Sequence, residues 1–141
     1  MKLIKATIRD KDFLFELRKA TMAQHFEKMG LIISDEEHQS RAEYAFEQAY
    51  LIVVQGAPIG MVKFQERADE LEIIQIQIAP SYQGQGYGKT MIEYLMAQSP
   101  HKPTKLTVLK SNPAANLYKR LGFAIYDEDD YEFYMRKDAR V

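Results

Sequence analysis

A glycine-rich segment at residues 83–90, Gln-Gly-Gln-Gly-Tyr-Gly-Lys-Thr, holds the residues best suited to binding chemistry. Gly84, Gly86 and Gly88 stand at every second position, so no side chain covers the backbone there. Several N–H groups can then converge on one point at a helix N-terminus, where the helix dipole adds partial positive charge. The segment therefore predicts a phosphate site, most naturally one for a pyrophosphate. The alternative is a mobile glycine-rich turn.

The elements on either side favour the phosphate site. An apolar strand is predicted at 71–78 and an amphipathic helix at 88–98. A dinucleotide-binding fingerprint, Gly-x-Gly-x-x-Gly, would need a glycine where Lys89 stands. A Walker A loop would need one where Gln83 stands, so the Gly-Lys-Thr ending is a partial match only.

A nucleotide hydrolase stays open as a less favoured alternative. Such an enzyme expects an apolar strand that ends in a Mg²⁺-binding aspartate. The strand predicted at 105–109 is followed by Lys110 instead, which speaks against that function.

A second informative stretch runs from Asn112 to Phe123. Asn112 and Pro113 are typical of the N-cap and first position of a helix, and Gly122 is a typical helix end. Tyr118 lies on this helix and carries an ionisable hydroxyl.

Together the two stretches resemble the GCN5-related N-acetyltransferase (GNAT) family. The acyl-CoA-binding loop of that family has the pattern Gln/Arg-x-x-Gly-x-Gly/Ala, which Gln83, Gly86 and Gly88 supply. A second block of the family, Asn-x-x-Ala-x-x-Leu/Phe-Tyr-x-x-x-Gly-Phe, is similar to the stretch that contains Asn112, Ala115, Tyr118, Gly122 and Phe123. The predicted element order β-α-α-β-β-β-α-β-α-β-β is similar to that of the family. We therefore expect an α/β (α+β) fold with a mixed, largely antiparallel sheet flanked by helices and split between the strands predicted at 71–78 and 105–109.

The resemblance implies an acetyl-CoA-dependent N-acyltransferase that acts on a primary amine by direct attack. Acyl transfer needs a route for the amine proton, a donor for the thioester oxyanion and an acid for the leaving thiolate. By resemblance, Tyr118 is the acid and Asn112 binds the pantetheine arm. The alternatives are core packing for Tyr118 and helix capping for Asn112.

The central strand supplies further site residues by resemblance. In the family the pantetheine arm pairs with this strand near a bulge, which would place it along the backbone of Ile76, Gln77 and Ile78. Glu72 lies eleven residues before Gln83, the spacing of the glutamate base in the histone-acetylating branch. A solvent-facing Glu72, with the proton leaving through water, is the alternative. The residues expected to bind acetyl-CoA are Ile76, Gln77, Ile78, Gln83, Gly84, Gln85, Gly86, Tyr87, Gly88, Lys89, Asn112 and Tyr118.

The acceptor site is the least defined part of the sequence. We expect the two N-terminal helices and their junction, residues 24–34, to form its wall. His25 and Arg41 are the first candidates for binding the acceptor, ahead of Glu27 and Tyr44. A small-molecule or peptide amine is expected, and a non-catalytic acyl-CoA sensor on the same fold is the alternative function.

Composition excludes several other classes of protein. The chain has 141 residues, 46% of them hydrophobic and 28% charged, which fits one domain over 1–141. A net charge of −1 gives no field to recruit nucleic acid or an anionic membrane. There is no cysteine, and the three histidines show no metal-ligand spacing, so no metal is expected. We expect a cytoplasmic protein, and the oligomeric state stays open, a homodimer included.

The remaining elements follow from local patterns. Strands are predicted at 3–8, 50–55, 59–66, 123–126 and 131–137. Asp10 is expected to cap a helix over 11–28, and Ser34 with Glu37 a second helix that runs to about Ala49.

Overall fold

Seven strands form one sheet at the centre of the protein. The computed structural model describes residues 1–140. In chain order the elements are β1 (Lys2–Lys5), α1 (Lys11–Lys28), α2 (Asp35–Glu43), β2 (Ala49–Val54), β3 (Ala57–Glu66), β4 (Leu71–Ile78), α3 (Tyr87–Gln98), β5 (Thr104–Leu109), α4 (Ala114–Arg120), β6 (Ala124–Glu128) and β7 (Glu132–Lys137). The strand order is β1-β2-β3-β4-β5-β7-β6, and within residues 1–140 only β4 and β5 pair in parallel. The predicted mixed, largely antiparallel sheet is confirmed.

Helices cover both faces of the sheet because neighbouring residues of a strand point to opposite faces. Leu51 belongs to the cluster that includes Leu14 and Leu17 of α1. Ile52, the next residue, belongs to the cluster that includes Met91 of α3 and residues of α4. Each such fully buried side chain stabilises the fold by roughly 1.5–3 kcal/mol. None of the helices described in residues 1–140 is long and apolar enough to cross a membrane.

The two parallel strands separate after a short paired stretch, as the sequence led us to expect. β4 pairs with β5 from Leu71 to Ile73, opposite Thr104 to Leu106, and both strands then continue without pairing to each other. The backbone of β4 beyond Ile73 consequently faces an opening on that side.

A bulge lies in β4 at the start of this opening. Lys63 of β3 pairs with Gln75, whereas the next residue, Phe64, pairs with Ile73, so Ile74 is the extra residue. A bulge bends a strand and increases its local twist, which turns 75–78 away from the line of β5.

The prediction that the second helix continues to about Ala49 is wrong. α2 ends at Glu43, and Ala45 has a left-handed backbone with φ of 55°. Lys63 explains this end, because its fully buried ammonium donates to the carbonyls of Arg41, Ala42 and Tyr44. A cation at a helix C-terminus satisfies carbonyls that the helix itself leaves free.

Two details at the N-terminus also differ from prediction. The first strand ends at Lys5 and is followed by a 3₁₀ turn at Ile8–Asp10. Asp10 does not cap α1 through its side chain. Its carboxylate accepts from the Thr7 N–H at 2.8 Å and closes the 3₁₀ turn instead.

Candidate active site

Two cavities meet where β4 and β5 separate. The first has a volume of about 510 Å³ and is lined by the glycine-rich segment, and we call it the loop cavity. The second has a volume of about 280 Å³ and is lined by Arg18 and Arg41, and we call it the arginine cavity. Five residues line both cavities: Met22, Ile76, Gln77, Asn112 and Tyr118. The two spaces therefore meet at the open edge of β4 beside Tyr118.

The glycine-rich segment takes a conformation that requires glycine. Gly84 and Gly86 have φ of +76° and +86°, a region that L side chains rarely adopt. A Cβ atom on either residue would have no neighbour within 4 Å, so the space above the segment is open. Gln83 fixes the segment to the central strand, because its Nε2 donates to the Ile78 carbonyl at 2.8 Å.

The start of α3 presents free N–H groups to the loop cavity. The first backbone hydrogen bond of α3 is donated by the residue after Lys89. The N–H groups of Tyr87, Gly88 and Lys89 therefore have no helical acceptor, and no other backbone carbonyl in residues 1–140 accepts from them. Lys28, Lys89 and Arg120 add positive charge to the lining, which contains no carboxylate. This is the electrostatic environment of a polyanion site.

Tyr118 is held firmly at the junction of the two cavities. It is 6% exposed, and its ring lies edge-on to Phe123 with the centroids 6.1 Å apart. Burial raises the pKa of its hydroxyl to about 12, so this group stays protonated at neutral pH. A neutral, buried hydroxyl can donate a proton or a hydrogen bond to a sulfur atom placed beside it.

Asn112 lies one residue before the N-cap of α4, which is Pro113, so the predicted cap is displaced by one position. The Asn112 Oδ1 accepts from the Ala114 N–H at 2.9 Å, and the residue also lines both cavities.

The block from Asn112 to Phe123 departs from the family pattern by one residue. The family's tyrosine follows its asparagine by seven positions, whereas Tyr118 follows Asn112 by six. Ser111 is thus in register with the family's asparagine, and its Oγ donates to the His25 carbonyl at 2.6 Å.

The arginine cavity has a different chemistry. Arg18, Arg41 and Glu132 supply its charged side chains, and Gln75 and Tyr44 are polar neighbours. Burial raises the pKa of the Glu132 carboxyl, the charge of Asp129 raises it further, and Arg41 opposes both. Glu132 is the carboxylate that lines this cavity.

Unpaired buried polar atoms gather at the two cavities. Six buried side-chain N or O atoms in residues 1–140 have no hydrogen-bond partner. Four of them belong to cavity-lining residues: Arg18 Nε, His25 Nδ1, Gln75 Oε1 and Gln77 Oε1. Such atoms are costly in a protein interior, so the side chains that line these two cavities are kept there at a cost in stability.

Eleven of the twelve residues expected to bind acetyl-CoA line the loop cavity. Gln85 is the exception, because its Nε2 donates to the Ser81 carbonyl at 3.2 Å and it does not line the cavity.

Glu72, the expected base, is not brought to the site. It lines neither cavity, and its carboxylate pairs with Arg67 at 2.8 Å. Gln77 lies five positions further along the extended strand, about 16 Å along β4.

His25 and Arg41 were expected to share one acceptor site, but they line different cavities. His25 lies in the loop cavity, where burial and then the charge of Lys28 lower the pKa of its imidazole. Arg41 lies in the arginine cavity, as does Tyr44, whereas Glu27 lines neither. Residues 29–34, which join α1 to α2, line neither cavity. From the expected wall at 24–34, the residues that line a cavity are Gln24, His25, Phe26 and Lys28.

Two functional candidates escaped the sequence analysis. Arg18 stands four residues after Leu14, on the buried side of α1. A charged residue on an apolar stripe is a signal that could have identified it. Glu132 gave no such signal, because it directly follows an acidic turn and resembles a continuation of it. Among residues 1–140 no cluster of three His, Asp or Glu side chains could hold a metal ion.

The sequence is similar to known acetyltransferases. Residues 12–123 match the family model described as "Acetyltransferase (GNAT) family". Over 68 residues the chain is 38% identical to a [ribosomal protein bS18]-alanine N-acetyltransferase of Haemophilus influenzae, a match over 46% of this chain and 47% of that protein. It is 28% identical over 133 residues to a mycothiol acetyltransferase of Pseudarthrobacter chlorophenolicus, which covers 86% of this chain and 41% of that protein. The chain thus spans less than half the length of these relatives.

Solved structures show the same fold. The PaiA N-acetyltransferase of Thermoplasma acidophilum, in complex with coenzyme A, superposes with a TM-score of 0.74 at 20% identity over 97% of this chain and 98% of that one. The ribosomal-protein-S18-alanine N-acetyltransferase of Escherichia coli superposes with a TM-score of 0.70 at 20% identity, over 99% of this chain and 95% of that one. With its match to the family model over 12–123, the chain belongs to the GNAT acetyltransferase family.

Proposed function

We propose that this chain transfers the acetyl group of acetyl-CoA to the primary amine of an acceptor, by direct attack within a ternary complex. The observation that carries the proposal is the meeting of two chemically different cavities at Tyr118 and the open edge of β4. One cavity suits a polyanionic co-substrate, and the other is left for the amine.

The loop cavity would hold acetyl-CoA. The N–H groups of Gly84 and of Gly86 to Lys89, and the positive charges of Lys28, Lys89 and Arg120, would bind the pyrophosphate. The pantetheine arm would follow Ile76 to Ile78 along the side of β4 that does not pair with β3, and bring the thioester to Tyr118. Coenzyme A in the Thermoplasma relative's structure is consistent with this assignment.

The residues around Tyr118 would then promote the transfer. The free amine attacks the thioester carbonyl carbon, and a backbone N–H in 76–78 stabilises the oxyanion. As the C–S bond breaks, Tyr118 donates its proton to the leaving sulfur and later regains one from solvent.

We assign the amine proton to Glu132. An ammonium group has a reference pKa near ~10.4, so only about one amine in a thousand is nucleophilic at neutral pH. Glu132 is the carboxylate on the arginine cavity, and burial, then the charge of Asp129, raise its pKa and make it a stronger base than an exposed glutamate. Glu72 has no such position.

The co-substrate assignment is tested by thermal unfolding with acetyl-CoA. Acetyl-CoA should raise the Tm in a concentration-dependent way, and ATP with Mg²⁺ should do much less. Gly86→Asp should abolish the shift, because a carboxylate would occupy the phosphate position. Gly56→Asp is the matched control, since Gly56 has φ of +79° and equally open space but lies in the β2–β3 turn.

Two results would overturn the proposal. An ATP shift with none from acetyl-CoA would favour a nucleotide-binding protein. A clear acetyl-CoA shift without CoA release for any amine in a broad library would favour the acyl-CoA sensor.

A further inference from the structure

Arg18 is a buried cation without a protein counter-ion. Its side chain is 3% exposed, and its Nε has no hydrogen-bond partner. The ion pairs found among residues 1–140 do not include it. A buried charge left unpaired costs several kcal/mol by general estimates, so proteins rarely keep one without use.

A second guanidinium stands close by. Arg18 and Arg41 both face the ring of Phe26, with their Cζ atoms 6.0 Å and 5.1 Å from its centroid. Burial, and then the charge of Arg41, lower the pKa of Arg18 to about 10, which leaves it protonated at neutral pH. Two like charges therefore line the arginine cavity.

Only one member of this pair has a carboxylate partner. Glu37 accepts from Arg41 Nε at 2.7 Å on the helix surface and makes no ion pair with Arg18. Glu132 lines the same cavity, but it makes no ion pair within 4.0 Å to either arginine among residues 1–140. Arg18 is therefore the cation of this cavity that no carboxylate pairs with among residues 1–140.

We propose that the arginine cavity binds a small acceptor amine that also carries a carboxylate or phosphate, with the anion held by Arg18 and Arg41. This inference rests on the proposed acetyl transfer and names the class of acceptor. Guanidinium groups bind both anions through paired N–H donors, which fixes orientation as well as position. With the anion at this end, the amine is directed towards Glu132 and Tyr118.

The size of the cavity favours a small molecule. Its volume is about 280 Å³, and Arg18, which lines it, is buried. A peptide N-terminus has no free carboxylate beside its amine, so Arg18 would remain without an ion pair for most peptides.

Matched acceptors give the first test. We would measure CoA release with leucine, leucinamide and 3-methylbutylamine, and with O-phosphoethanolamine and ethanolamine. At least one anionic member should exceed its neutral partners in kcat/KM by 10-fold or more. Equal rates for neutral and anionic partners, or faster acetylation of neutral peptides, would overturn the inference.

Anion binding is tested separately on protein saturated with CoA, so that the loop cavity is full. Acetate, succinate and inorganic phosphate should each be tried for a further rise in Tm at constant ionic strength. At least one should raise the Tm of the wild type. No rise with any of them, together with no anionic preference, would overturn the inference.

Arg18→Met removes the buried charge and keeps most of the volume. It should lose the anion preference and the anion shift, while its Tm without ligand should equal or exceed that of the wild type. A variant that retains the preference but unfolds at lower temperature would make Arg18 a structural residue. Arg41→Met and Arg18→Lys should each weaken the preference, which keeps the test valid if Arg18→Met does not fold.

Arg67→Met is the matched control, because Arg67 pairs with Glu72 outside both cavities and should keep the preference. Acetyl-CoA shifts are measured on the same samples. If acetyl-CoA still raises the Tm but anionic acceptors are not preferred, this inference is refuted and the proposed function is not. Absence of both the acetyl-CoA shift and all CoA release fails the proposed function as well.

Discussion

The loop cavity and the arginine cavity are built in different ways. The loop cavity depends on the backbone of one continuous segment, 83–90, on its glycine conformations and on a helix N-terminus. The arginine cavity depends on side chains from α1, α2, β4 and β7, which are distant in sequence. The first kind of site suits a ligand that many proteins share. The second can change with a few substitutions, which is why we propose that acceptor choice is determined there.

The largest expected effect concerns the residue that the two cavities share. Tyr118→Phe should lower kcat by ~10²-fold, because it removes the proton donor but keeps the packing against Phe123. Acetyl-CoA affinity should change little. Initial rates and thermal shifts on the same variant check this. Unchanged turnover would reduce Tyr118 to a packing residue.

A smaller loss is expected on the acceptor side. Glu132→Gln should lower kcat by ~10- to 10²-fold, because the amide cannot accept the amine proton. The base works when deprotonated, and its pKa is raised by burial and Asp129. The wild-type rate should therefore rise with pH through a value above that of an ordinary glutamate.

This rise of the rate with pH should be absent in Glu132→Gln. Glu72→Gln is the competing variant, because the family resemblance implied Glu72 as a candidate base. A larger loss in Glu72→Gln than in Glu132→Gln would reverse the assignment.

The smallest effect is expected at the rim of the loop cavity. Arg120 is exposed, so its charge is screened by solvent and salt. Arg120→Gln should raise the KM for acetyl-CoA by about 2- to 5-fold and leave the KM for the acceptor unchanged. The difference should fade at high ionic strength. A change in acceptor KM instead would mean that the two cavities do not divide the substrates as proposed.

The same contrast explains what the sequence could predict. The glycine positions and the start of α4 near Asn112 follow from local patterns, and the split between β4 and β5 was implied by the family resemblance. Gln85 does not line the loop cavity, and its side chain turns back to Ser81.

Tertiary contacts decided the rest. α2 stops at Glu43 because Lys63, twenty residues further on, binds its last carbonyls. Glu132 reaches the arginine cavity because β7 pairs with β5, placing it opposite Leu109. No local pattern around these residues reports such contacts. Arg18 is the exception, since its place on the apolar stripe of α1 was visible in the sequence.

The central claim is that both substrates bind at once, on opposite sides of Tyr118, and react directly. Initial rates with acetyl-CoA and a confirmed acceptor, both varied, test it most directly. We predict intersecting lines in the double-reciprocal plot and no acetylated enzyme by mass spectrometry after incubation with acetyl-CoA alone. Parallel lines with an acetylated side chain would contradict the account, because they would require an enzyme-bound acyl intermediate.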